Sequence, residues 1–101
     1  MRIIVLFNLK PGVDAAAYEA WARSTDIPGV RGLKSVDDFQ VYRATSLFGS
    51  DAKPPYAYFE VIDINGVDAF VGDVTSDAVQ KVSAEFQQFA DHPLFVTTEA
   101  L

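Results

Sequence analysis

The chain has 101 residues, 50% hydrophobic and 22% charged, which suffices for one compact domain, residues 1–101, and is too little for a second core. Fourteen acidic residues against eight basic ones leave a formal charge of −6, which repels phosphate backbones and anionic lipid surfaces and sets nucleic acid and membranes aside as partners. With no cysteine and one histidine, disulfides, a cysteine nucleophile and thiolate or zinc sites are excluded, no metal is expected, and a reducing, cytoplasmic setting is expected.

Residues Arg2 to Leu9 (RIIVLFNL) are β-branched and bulky and stop at Lys10-Pro11-Gly12, which reads as a first strand ending in a turn. Both of its faces are mostly apolar, so both need cover. Its central run, Ile3 to Phe7, is far short of the ~20 residues that span a bilayer. Asp14 caps a predicted helix from Ala15 to about Ser24, with Tyr18, Trp21 and Ala22 on its apolar face. Thr25-Asp26-Ile27-Pro28-Gly29 is expected to break it and begin a loop, because proline lacks a donor and restrains the residue before it.

From about Gly32 to Ser46 a loose alternation predicts a long bent strand with a bulge near Asp37-Asp38. Phe48 to Pro55 is a connection dense in turn formers, and Tyr56 to Ile64 reads as a third strand. After Asn65-Gly66, Val67 to Gly72 forms a short helical turn. Thr75 or Ser76 then caps a helix from Asp77 to about Ala90, whose stripe Val79, Val82, Phe86 and Phe89 suits packing on a sheet. Asp91-His92-Pro93 stops it, and Leu94 to Thr98 is a short last strand. The order β-α-β-β-α-β is that of the α+β, ferredoxin-like sandwich: a four-stranded antiparallel sheet with strands one and three in the middle and both helices on one face.

That arrangement leaves the other face bare, yet strands one and three are too apolar to present it to water. Hiding ~400–800 Å² of apolar surface at ~25 cal/mol per Å² would return about 10–20 kcal/mol before association costs, so a homodimer packed sheet to sheet is expected.

His92, whose ordinary pKa lies near neutrality, is the natural candidate for proton transfer, and equally a cap on the last helix. Asp26, beside Pro28-Gly29, is either a proton acceptor in a loop lining a cleft or a turn-forming carboxylate. Glu60 interrupts an apolar central strand and must be paired, solvated or raised in pKa if the dimer buries it, so it is a functional acid or half of an ion pair with Arg43. Arg43 would clamp a ligand carboxylate or neutralise Glu60 or an acidic loop. Tyr18, Trp21, Tyr42, Tyr56 and Tyr58 offer flat rings and hydroxyls for a planar heteroaromatic ligand, with core packing the competing role for Tyr18 and Trp21. Asn8 would orient a ligand carbonyl or satisfy nearby backbone. No G-x-S-x-G elbow, P-loop or G-x-G-x-x-G fingerprint is present, which leaves acid-base chemistry in an apolar pocket.

An apolar strand, Lys10-Pro11-Gly12, a helix, and a later helix ending in phenylalanines before Asp91-His92-Pro93 resemble the dimeric α+β barrel superfamily of muconolactone isomerases, small quinone-forming monooxygenases and polyketide cyclases. Tyr18-Glu19-Ala20-Trp21 through Asp26-Ile27-Pro28, Leu33-Lys34-Ser35, Val41-Tyr42-Arg43 and Phe86 to Phe95 resemble, more narrowly, the RedY-like or HapK-like proteins of prodiginine pigment biosynthesis. The resemblance implies a protein without cofactors that acts on a pyrrole or other aromatic intermediate, as related proteins steer cyclisation or decarboxylation of bisindoles. On that footing His92, Asp26 or Glu60 would move protons to assist cyclisation or tautomerisation, with Asn8, Tyr18, Trp21, Tyr42, Arg43 and Tyr58 against the ligand. The alternatives are a non-catalytic protein that binds and delivers a reactive aromatic compound, and a cofactor-free monooxygenase.

Overall fold

The computed structural model describes residues 1–101. Its elements are β1 (Arg2–Leu9), α1 (Ala15–Trp21), a π-helical turn (Ala22–Asp26), α2 (Ile27–Arg31), β2 (Val36–Arg43), β3 (Tyr58–Ile64), α3 (Val67–Val74), α4 (Asp77–Phe89) and β4 (Ala90–Thr97). The strands form one antiparallel sheet in the order β2-β3-β1-β4, so the expected α+β sandwich is the fold, with strands one and three central. No helix is long and apolar enough to cross a membrane.

Two local expectations are corrected. The first helix does not end before Pro28: the Ile27 N–H reaches back to the Ala22 carbonyl, and winding continues through the widened turn to Arg31. Pro28 falls in the first turn of α2, where a missing N–H costs nothing, so the residue that should stop the helix is accommodated by one wide turn. The last strand begins at Ala90, directly after α4, rather than at Leu94. Ala90 pairs with Leu9 and Asp91 with Asn8, then the ladder slips before Leu94 meets Leu6. His92 absorbs the slip in a left-handed conformation (φ 46°), and Pro93 is tolerated because β4 is an edge strand. The predicted bulge in the second strand is present between Val36 and Asp38, although the strand itself is confined to Val36–Arg43.

Alternation along β1 and β3 sorts the two faces of the sheet. Ile3, Val5 and Phe7 are buried under the helices, while Ile4 and Leu6 are half-buried. In β3, Tyr58, Glu60, Ile62 and Ile64 are buried, and Phe59, Val61 and Asp63 are not. Register carries the open face outward to Tyr42 beside Phe59, Leu94 beside Leu6, and Val96 beside Ile4. Tyr42, Leu94 and Val96 are exposed, so an apolar surface lies on the side the helices leave free. An Arg2–Asp63 ion pair at 2.8 Å borders it.

The core at one end of the helix–sheet interface is a cluster of rings. Phe7 stacks on Tyr58 at 5.5 Å and meets Phe86 edge-on at 5.0 Å, while Tyr18 meets Tyr58 at 4.9 Å. Trp21 packs on Phe89 and donates its indole N–H to Glu85 at 2.7 Å, which fastens α1 to α4.

Candidate functional site

The aromatic cluster holds the C-terminal half of α4 close to the sheet, and Phe86 is that helix's only buried residue. Toward its N-terminus, Val79 and Val82 are only half-buried and face a cavity of about 410 Å³. Its floor is the sheet (Ile3, Phe39, Glu60, Ile62), and its roof includes Phe70 and Val74 of α3 and Val30 of α2. Of its sixteen lining residues eleven are hydrophobic, and none is a lysine, arginine or histidine.

Asp26 and Glu60 both line this cavity and are 5% and 4% exposed. The π-helical turn ends at Asp26, which is buried together with Ala22 one turn earlier. Glu60 comes up from the middle of β3. Asp26 Oδ2 and Glu60 Oε2 have no hydrogen-bond partner in the chain. Burial without compensation disfavours the charged form of each group. It pushes the Asp26 carboxyl up to about 7, and it holds Glu60 well above the ordinary carboxylate range, with the charge of Asp26 adding to the effect. Near neutrality Asp26 is therefore divided between acid and carboxylate, and Glu60 is shifted toward its protonated form. The buried Tyr18 hydroxyl is also without a partner. Burial raises its pKa and the charges of Glu60 and Asp26 raise it further, so it stays a neutral donor.

The sequence reading of Glu60 is corrected in two respects. It is buried by the helices of its own protomer, on the face opposite the open one, and it is not paired with Arg43. Arg43 instead bonds both carboxylate oxygens of Glu19, at 2.9 and 3.0 Å, and Glu19 also accepts the Tyr58 hydroxyl at 2.8 Å. The bond from Tyr58 and the Arg43 charge lower the Glu19 pKa against the effect of burial. Burial, then the same bond, pushes Tyr58 up to about 12. Arg43 and Tyr58 thus form a polar latch between α1 and the sheet edge, outside the cavity.

The remaining candidates are dispersed. Tyr18 and Trp21 sit in the aromatic core and not among the cavity walls. Tyr42 is exposed on the open face. Asn8 is occupied with backbone, donating to the Pro55 carbonyl at 3.0 Å and accepting from Ala57 N–H at 2.9 Å. Tyr56 is half-buried in a separate cleft of about 450 Å³ that includes Asn8 and Arg43. The His92 side chain is 95% exposed, 3.5 Å from Asp91, and lines none of these walls. The aromatic walls Phe39, Phe70 and Phe95 were not among the residues predicted for the site. Their signal was the helical and strand periodicity itself, which does not distinguish a side chain packed on the sheet from one that looks into a gap.

Comparison with known proteins agrees with this architecture. The family model described as REDY-like protein HapK matches residues 1–101. Among solved structures, HapK from Hahella chejuensis is similar, with 28% identity over 100% of this chain and 95% of that one, and a TM-score of 0.75. A dimeric ferredoxin-like protein of unknown function from Thermobifida fusca shares 18% identity over 94% of this chain and 85% of its own, with a TM-score of 0.73. A mutant of SnoaB, a cofactor-independent oxygenase from Streptomyces nogalater, shares 11% identity over 99% of this chain and 93% of its own, with a TM-score of 0.73. No curated protein matches the chain.

Proposed function

The chain belongs to the REDY-like HapK family, and on that premise we propose that it is a homodimeric accessory enzyme of secondary metabolism, working without a cofactor on a pyrrole- or indole-type aromatic intermediate of prodiginine-like biosynthesis. It assists cyclisation or tautomerisation of that intermediate. The observation that carries this reading is the pair of buried, unpartnered carboxyl groups at the wall of an apolar cavity. Two buried acids, both shifted toward the protonated form, can divide the roles of proton donor and acceptor. Glu60 gives its proton to the ligand at one position while Asp26 takes one from another, so the ligand is isomerised with no net change in protons. The four phenylalanine rings of the cavity wall (Phe39, Phe70, Phe86, Phe95) suit a flat substrate.

Incubating the protein with a candidate heteroaromatic intermediate is expected to change the ratio of its isomeric or cyclised products relative to buffer. The double variant Asp26→Asn, Glu60→Gln is expected to return the ratio to that of buffer. A wild-type ratio equal to the buffer value counts against the proposal. The same cavity also suits a carrier that binds and delivers a reactive aromatic compound. That second reading predicts saturable binding with an unchanged ligand mass and product ratio. Oxygen consumption during the incubation would instead identify cofactor-free oxygenation.

A further inference from the structure

The walls of the cavity restrict the polarity of what can enter it. Only five of its lining residues carry polar side chains: Asp26, Glu60, Gln80, Ser83 and Thr97. The nearby arginines on α2 and β2 are committed elsewhere. Arg31 donates to the Phe39 carbonyl at 2.8 Å and to Gln40 at 3.1 Å, and Arg43 is held by Glu19. An anion entering the cavity would therefore meet two carboxyl groups and no cation. A nitrogen that carries hydrogen would meet the reverse: Asp26 Oδ2 and Glu60 Oε2 have no partner in the chain, and a carboxyl group, protonated or not, offers an oxygen that accepts.

We propose that the cavity takes a flat ligand whose polar group is an N–H-bearing nitrogen, neutral or cationic, bonded by Asp26 and Glu60, and that it rejects carboxylates and phosphates. This rests on the reading of the cavity as the ligand site, and adds the charge that its two acids admit and refuse. It also separates two roles that the sequence left together: recognition lies with the acids, and Arg43, the residue suited to clamp a carboxylate, lies outside the cavity and takes no part.

Three probes that share one ring system separate the charges: tryptamine as the cation, 3-ethylindole as the neutral N–H donor and indole-3-propionate as the anion. Titrated calorimetrically into the full chain at pH 7.5, tryptamine and 3-ethylindole are expected to bind at least tenfold more tightly than the propionate. In the double variant Asp26→Asn, Glu60→Gln, the advantage of tryptamine over the propionate is expected to disappear, and continued binding of 3-ethylindole serves as the control for an intact cavity. Propionate binding as tightly as tryptamine overturns the proposal, as does an undiminished tryptamine preference in the variant, while either leaves the cavity standing as a ligand site. Failure of all three probes to bind overturns that underlying reading, and the proposal with it.

Discussion

Lowering the pH from 8 to 5 is expected to stabilise this protein, against the usual direction in which acid destabilises a fold. Burial raises the Asp26 carboxyl from 3.8 to about 7 in the folded chain, whereas in the unfolded chain it ionises near its ordinary value. Between those two values the folded state holds a proton that the unfolded state has released, so unfolding free energy falls as pH rises. The contribution is complete below pH ~4 and lost above ~7, and amounts to about 4 kcal/mol at 1.36 kcal/mol per unit. Glu60 is shifted in the same direction by the same cause and adds to the slope. Glu19 and Asp63 are shifted the other way by their hydrogen bonds to Tyr58 and Arg2, and so weaken the fold only at lower pH, outside this window. Thermal melts at a fixed protein concentration should show the midpoint rising by roughly 10 °C or more from pH 8 to 5. The Asp26→Asn variant should show a flatter profile and exceed the wild type at pH 8, because a neutral amide replaces a charge that has no partner. A wild-type midpoint that is flat or falls toward pH 5 would show that water or a rearrangement solvates both acids.

A single charge on the open face of the sheet is expected to separate the proposed homodimer. Ile4, Leu6, Phe59 and Val61 form the middle of that face, with Leu94 and Val96 exposed beside them. In a twofold contact each substitution occurs twice, so Leu6→Glu would bury two unpaired carboxylates against apolar side chains, at several kcal/mol each. The dissociation constant should rise by a factor of at least about 10³, since every 1.4 kcal/mol is tenfold. Sedimentation at micromolar concentration should show a dimer for the wild type and a monomer for Leu6→Glu. The circular dichroism spectrum should be unchanged, because Leu6 lies on the side of β1 away from the protomer's own core. A wild-type chain that sediments as a monomer refutes the dimer outright. The border of the patch supports the expectation, for there Arg2 and Asp63 neutralise one another.

Local patterns carried most of the fold. The apolar run of β1, the Ser76 cap of α4 and the bulge near Asp37-Asp38 each depend on neighbours in sequence, and each is found where those neighbours place it. The errors arose where a local rule met a tertiary alternative. Pro28 ends a regular α-helix but not one that first widens by a residue, and Pro93 is no bar to a strand whose N–H side faces outward. At the site, Asp26 and Glu60 were both legible as candidates, since a carboxyl in an apolar setting is conspicuous in one dimension. That they share one cavity was not legible, because it depends on where α4 leaves the sheet. The conspicuousness of His92 came from its rarity in the chain, and rarity carries no information on depth. The structure puts it at the surface.

The roof of the cavity is fastened differently from its floor. No side chain of α3 is fully buried: Phe70 is half-buried against the core, and it and Val74 line the cavity. Its polar tie is Asp73, which accepts hydrogen bonds from both the N–H and the hydroxyl of the buried Ser35. Amide protons on α3 therefore exchange with solvent through a local opening that breaks one carboxylate anchor, while those of β1 and β3 wait for the whole molecule to unfold. A bound ligand would register first as slower deuterium uptake in Val67–Val74, outside the segments that carry Asp26 and Glu60.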